Sequence, residues 1–186
     1  MTGPSPIASI VICTYNRSDL LRLCIDSIAD MPTPSEQYEV IVVDNNSKDE
    51  TAQVCSAIPQ KYPNMHFRYI LEQKQGVGFT RTRGAMEAAG AIIAYIDDDC
   101  LADRNWLASI IEFYQNNPQA YSTGGRIIPK YLTPVADWFG KYFWGLVGHY
   151  DLGKKIFQMQ AHGTLPEQTC IFVNRRSRNS DTLTAS

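Results

Sequence analysis

The chain has few of the residues that build a metal cage or a covalent framework. Of its three histidines, His149 and His162 stand isolated without ligand spacing, which gives no sign of a histidine-based metal centre. Its five cysteines (Cys13, Cys24, Cys55, Cys100, Cys170) are scattered, odd in number and without a CxxC pair. That usage suits free thiols in a reducing compartment better than disulfides or zinc. Neither sign of charge dominates. The net charge of −2 gives no support for a nucleic-acid partner. No apolar stretch approaches the roughly 20 residues of a membrane-spanning helix. The opening MTGPSPIASIVIC lacks the basic region of a signal peptide, so a cytoplasmic location is expected. A hydrophobic fraction of 44% in 186 residues is that of one ordinary globular domain with a real core.

What is present is organised around Ala91–Cys100, AIIAYIDDDC. An uninterrupted apolar run reads as a strand buried on both faces, as in a parallel sheet. It stops at Asp97, Asp98 and Asp99, which then fall at the strand's carboxyl end, where open α/β sheets bind ligands. Three adjacent carboxylates repel one another, and a divalent cation such as Mg²⁺ or Mn²⁺ relieves that repulsion. A solvated acidic loop, with Asp99 or Asp103 capping the next helix, is the alternative.

Ile7–Cys13 is an apolar, β-branched first strand, and it ends in Thr14-Tyr15-Asn16-Arg17. Leu20, Leu21, Leu23, Cys24, Ile25 and Ile28 recur at helical spacing, with Asn16 or Ser18 as expected N-cap. Tyr38–Val43 is a second strand ending in Asp44-Asn45-Asn46, and Ser47 with Glu50 reads as a capping box for a helix over Lys48–Ile58. Phe67–Leu71 is a weaker third strand. Short alternating strands and helices predict right-handed βαβ units and a parallel sheet. The polar endings Thr14–Arg17, Asp44–Asn46 and Asp97–Asp99 then lie along one edge, which suggests a nucleotide-sized site.

Gln75–Gly84, QGVGFTRTRG, precedes the acidic strand. Gly76 and Gly78 allow close backbone approach, the following helix offers free N–H groups to an anion, and Arg81 and Arg83 add charge suited to a diphosphate. It is not a dinucleotide GxGxxG, because Arg81 replaces the third glycine and the stretch follows the third strand. An ordinary glycine turn before an exposed helix is the plainer reading. Arg104–Asn116 is an amphipathic helix ended by Pro118, and Ala120–Ile128 reads as another strand. Trp138, Phe139, Tyr142, Phe143, Leu146, Val147 and Tyr150 share one helical face. Such a stripe packs on a sheet or a partner copy, or lies at a membrane interface.

Together the stretches SIVICTYNR, EVIVVDNNSKDET, GVGFTRTRGAMEAAG and AYIDDDC resemble, in order and spacing, the family 2 inverting glycosyltransferases of GT-A fold. The resemblance covers roughly residues 7–128. It implies an α/β fold with an open, mostly parallel sheet flanked by helices. It also implies sugar transfer from a nucleotide-sugar, normally a UDP-sugar, to a saccharide or lipid-linked acceptor in polysaccharide or glycoconjugate biosynthesis. By the same resemblance Thr14, Tyr15 and Arg17 line the nucleoside pocket, Asp44 bonds the base, and Arg81 and Arg83 meet the sugar-nucleotide. Asp97–Asp99 correspond to the DxD motif, with Asp97 and Asp98 on the donor and Asp99 with Asp97 on the Mn²⁺ or Mg²⁺. Peripheral membrane contact through residues 138–150 fits a lipid-linked acceptor.

Beyond Leu165-Pro166 the likeness stops. The family continues with a segment like GANMAFRR and an acidic general base, whereas here EQTCIFVNRRSRNSDTLTAS follows. Glu167 and Asp181 are the only acids after Asp151, and neither matches that base. Glu-Gln-Thr-Cys encoded GAG-CAA-ACA-TGT spells Gly-Ala-Asn-Met when read one nucleotide earlier after a G. The expectation is therefore a domain over residues 1–166, incomplete on its acceptor side, and a disordered or frameshifted tail over 167–186. A donor-binding remnant without a base and a nucleotidyltransferase are the competing functions. The second lacks its glycine-rich basic loop after the first strand.

Overall fold

The computed structural model describes residues 5–131, 134, 148–151, 153 and 171–174. Strands β1 (Ala8–Thr14), β2 (Tyr38–Asp44), β3 (Phe67–Leu71) and β4 (Ile92–Asp97) alternate with helices α1 (Ser18–Ala29), α2 (Thr51–Lys61) and α3 (Val77–Glu87). After them come α4 (Trp106–Asn116), β5 (Ser122–Gly124) and β6 (Ile171–Asn174). The sheet runs β3-β2-β1-β4-β6-β5. β1 pairs parallel with β2 and β4, and β2 pairs parallel with β3. The expected α/β fold with a mostly parallel sheet is therefore present.

The middles of the central strands are apolar because both faces are covered. Ile10, Val11, Ile12 and Val40–Val43 are fully buried. On one face Val11, Ile41, Val43 and Ile93 form a core with Ala88, just past the end of α3. Leu21, Cys24, Ile25 and Ile28 of α1, Val54, Cys55 and Ile58 of α2, and Leu107, Ile110, Ile111 and Tyr114 of α4 are the buried hydrophobic residues of those three helices. Each set follows the helical period that the sequence displays.

Gly84 and Gly90 are fixed by close approach. A Cβ on Gly84 would stand 2.3 Å from Val11 Cγ1, and one on Gly90 would stand 2.5 Å from the Ala8 carbonyl carbon. Beneath that connection lies a buried polar knot that the sequence conceals within the apolar YEVIVV. Glu39 Oε1 accepts from Ser9 Oγ (2.6 Å) and from the Ala89 N–H (2.7 Å), while Arg68 lies 3.4 Å from its Oε2.

Both expected caps give way to longer-range bonds. α1 opens after Arg17 without a side-chain cap of its own, since Asn16 is left-handed (φ 53°) and its Oδ1 accepts from the Lys48 N–H instead. α2 begins at Thr51, not Lys48, because Ser47 Oγ is taken by the Asn16 N–H. The expected strand over 120–128 shortens to Ser122–Gly124.

Two compact units are distinguished: residues 1–123 with 171–186, and residues 124–170. In the second, Ile127 and Tyr150 exchange backbone hydrogen bonds and Arg126 pairs with Asp151 at 2.9 Å. The aromatic stripe from Trp138 to Val147 lies outside the described residues. Within the segment expected to be a disordered or frameshifted tail, Ile171–Asn174 forms a strand antiparallel to β4. The rest of 167–186 lies outside the described residues. No helix among the described residues is long and apolar enough to cross a membrane.

Candidate functional site

Register alone brings the polar strand endings together. Thr14 pairs with Asp44 and Cys13 with Asp97, so the ends of β2, β1 and β4 lie side by side at the carboxyl edge. Asp98 is the anchor. It is buried, its Oδ2 accepts from Thr14 Oγ1 (2.7 Å), and its Oδ1 is bonded by Arg17 Nη1 (3.1 Å). The same Arg17 nitrogen lies 3.1 Å from Asp99 Oδ2. Burial pushes the Asp98 carboxyl above its ordinary range, and the Thr14 hydroxyl and Arg17 hold it back. Asp98 in turn is the main cause of the raised affinity of Arg17 for its proton.

Asp97 and Asp99 flank that anchor with side chains 40% and 49% exposed. Arg81 reaches Asp97 at 3.5 Å, and its own backbone carbonyl accepts from Tyr95 Oη (2.9 Å). Burial again raises the Asp97 carboxyl, opposed by Arg81 and reinforced by Asp99. Beneath them burial pushes the Cys13 thiol up to about 11, so it is no nucleophile at neutral pH. Arg83 is placed elsewhere: it pairs with Glu87 at 3.0 Å along α3. Tyr15 stands 48% exposed after β1, and it is an aromatic side chain of the kind on which a base stacks.

Asp44 is buried at the end of β2, where Oδ1 accepts from the Ser47 N–H (2.9 Å) and Oδ2 from Tyr69 Oη (2.7 Å). Sequence reasoning missed Tyr69, and it missed the lacing of the loops. The Asn45 N–H donates to the Thr14 carbonyl (2.9 Å), its Nδ2 to the Lys74 carbonyl (2.8 Å), and its Oδ1 accepts from the Gly76 N–H (2.7 Å). Asp49 Oδ2 accepts from the Ser18 N–H at the start of α1 (2.9 Å). The only sequence signal for this is the density of Asn, Ser and Asp in DNNSKDE, residues that bond nearby backbone. Gly76 (φ 131°) makes the turn into α3 that no L side chain adopts freely.

The donor set fits a hard divalent cation shared with a phosphate ligand. Asp97 and Asp99 offer oxygen ligands, and Mg²⁺-like ions are held by one or two carboxylates plus substrate phosphates. Among the described residues no group of three His, Cys, Asp or Glu is placed to hold an ion unaided.

The parallel sheet gathers carboxylates and arginines at its carboxyl edge, the place where open α/β sheets bind their ligands. The chain belongs to glycosyl transferase family 2, whose pattern it matches over residues 9–180. It is similar to the glycosyltransferase AglE of Haloferax volcanii, 33% identical over 107 residues covering 58% of this chain and 35% of that protein. It is also similar to the glucosyl-dolichyl phosphate glucuronosyltransferase of the same organism, 30% identical over 148 residues (75% of this chain, 44% of that one). Among solved structures, the mannosyltransferase PcManGT from Pyrobaculum calidifontis, in complex with GDP-Man and Mn²⁺, superposes with a TM-score of 0.59. It is 24% identical over 64% of this chain and 35% of its own, a likeness of fold. The fold is GT-A. The chain spans about half or less of the length of the curated relatives it matches.

Proposed function

We propose that this chain carries the donor-binding part of a metal-dependent, inverting glycosyltransferase. Its donor is a nucleotide-sugar, with a UDP-sugar expected, and its acceptor a saccharide or lipid-linked saccharide in polysaccharide or glycoconjugate synthesis. The observation that carries this is the division of the acidic triplet: Asp98 is buried and doubly bonded, leaving Asp97 and Asp99 exposed on either side.

On this reading Asp97 and Asp99 hold Mn²⁺ or Mg²⁺, which supplies Lewis-acid stabilisation of the departing diphosphate. Arg81 neutralises phosphate oxygens beside Asp97, Arg17 steadies the acidic pair through Asp98, and Tyr15 offers a stacking face beside Asp44. Arg83 pairs with Glu87 along α3 through one guanidinium nitrogen, and its remaining N–H groups are the proposed further contact with the sugar-nucleotide. The general base is unassigned, because Glu167 and Asp181 lie outside the described residues. The aromatic stripe over 138–150 is the proposed membrane contact, on its sequence pattern alone.

Calorimetry of UDP binding with Mn²⁺ and with EDTA tests the assignment. UDP should bind at least roughly tenfold more tightly with the metal, since carboxylates and diphosphate each need the cation to offset their charge. Asp99→Ala should abolish that difference. Equal affinity under the two conditions would refute metal-assisted donor binding.

A further inference from the structure

Asp44 is 2% exposed, and both of its oxygens are already hydrogen-bonded. The Ser47 N–H donates to Oδ1 at 2.9 Å and Tyr69 Oη to Oδ2 at 2.7 Å. The Ser47 amide cannot accept a bond, and the Tyr69 proton is committed to the carboxylate. A carboxylate has about four lone-pair directions, so two remain, and both can only accept. The two donors come from different elements, the β2–α2 loop and β3, so the carboxylate plane is fixed from two sides. Tyr69 can do this because β3 pairs Leu71 with Asp44. Two residues earlier on the same face of the strand, its phenol reaches toward the carboxyl edge.

Resting on the donor reading above, we propose that Tyr69 is the positioning residue of nucleotide-base selection. By pinning Oδ2 while Ser47 pins Oδ1, it presents Asp44 as an acceptor-only reader of the base edge. Such a group favours a ring N–H, as uracil carries at N3 and guanine at N1, over the exocyclic amine that is the only donor cytosine or adenine brings to that edge. It repels the unprotonated ring nitrogens of cytosine and adenine, whose lone pairs would face a carboxylate with no proton to share. Discrimination of this kind is strong because a mismatched base leaves buried polar groups unpaired. Released from Tyr69, the carboxylate turns and takes up water, and the contrast between bases weakens. The Tyr69 ring is 38% exposed, so phenylalanine keeps its packing and loses only the hydroxyl.

The test is calorimetric affinity for UDP, GDP and CDP with Mn²⁺, on the full chain and on Tyr69→Phe and Asp44→Asn. The parent should favour UDP or GDP over CDP by roughly a hundredfold, and the two favoured arms identify the base. Tyr69→Phe should lose about five- to tenfold in the favoured affinity with CDP unchanged, so the ratio narrows while the melting temperature hardly moves. Asp44→Asn places an N–H where a carboxylate oxygen stood and should gain CDP affinity, narrowing the ratio from the other side. A Tyr69→Phe protein with the parent's ratio overturns the role of Tyr69 alone. A parent that binds none of the three overturns the donor reading itself.

Discussion

β4 ends at Asp97 and the chain turns through Asp98 and Asp99, closed by the Cys100 N–H on the Asp97 carbonyl (3.0 Å), so the three carboxylates do not share one direction. Asp98 turns back to Thr14 and Arg17, which leaves Asp97 and Asp99 outward. The triplet was legible in the sequence as an acidic strand ending, but the division within it was not. It depends on which side the Thr14 hydroxyl reaches from, 84 residues away in the chain. The resemblance placed both Asp97 and Asp98 on the donor, and without a donor Asp98 is held by Thr14 and Arg17. A pH dependence follows. The folded pKa values of Asp97 and Asp98 lie above the ordinary carboxylate value, chiefly through burial. An acid raised in this way disfavours the folded state when ionised. The two therefore detract from stability at neutral pH, and that cost is relieved as pH falls through their folded values. Protons and metal compete for Asp97, so Mn²⁺ affinity should begin to fall at a higher pH than an ordinary carboxylate would dictate. Mn²⁺ titrations from about pH 7 to about pH 4, spanning the usual carboxylate range, check this. Asp97→Asn should shift the onset downward, and a flat profile across the range would contradict the assignment.

Among the elements, the four parallel strands and their intervening helices were legible because each carries its own period and its own polar stop. Helix starts were not, because Asn16 and Ser47 commit their side chains to each other's loops, while Asp49 holds Thr51 of α2 with one oxygen and the Ser18 N–H of α1 with the other. β6 was equally hidden: four residues, Ile171–Asn174, add antiparallel to β4 from the far end of the chain, and no local pattern announces such a pairing. The seating of α3 tests the packing directly. Gly84 is the residue over which the helix touches β1, with Val11 Cγ1 only 2.3 Å from a notional Cβ. Val11 is fully buried and stiff at χ1, so it cannot swing clear. Alanine gains about 1 kcal/mol in helix propensity over glycine, while forced overpacking costs about 1–3 kcal/mol. Gly84→Ala should accordingly destabilise the fold in urea denaturation. In that background Val11→Ala should cost less than it does in the parent, because it vacates the space that the added methyl group needs. Strict additivity of the two changes would mean that they do not meet across the α3–sheet contact.

For the molecule as a whole, the ends of β1 and β4 set the three carboxylates Asp97, Asp98 and Asp99 against two arginines, Arg17 and Arg81, before any ligand arrives. A diphosphate adds further negative charge to a site already short of cations, and a divalent ion is held more firmly once phosphate oxygens are there to share it. Binding of the two is therefore coupled through charge, each lowering the cost of the other. Coupling shows up as stability, because a ligand that binds only the folded state raises it by about 2.7 kcal/mol at about a hundred times its Kd. For a chain of this size each kcal/mol moves the melting temperature by about 2–4 °C. The combination of UDP and Mn²⁺ should raise Tm by roughly 5–10 °C, and clearly more than the sum of the shifts from either alone. Asp99→Ala should reduce the combined shift to that sum. Additive shifts in the parent protein would show that nucleotide and metal do not share a site at the ends of β1 and β4.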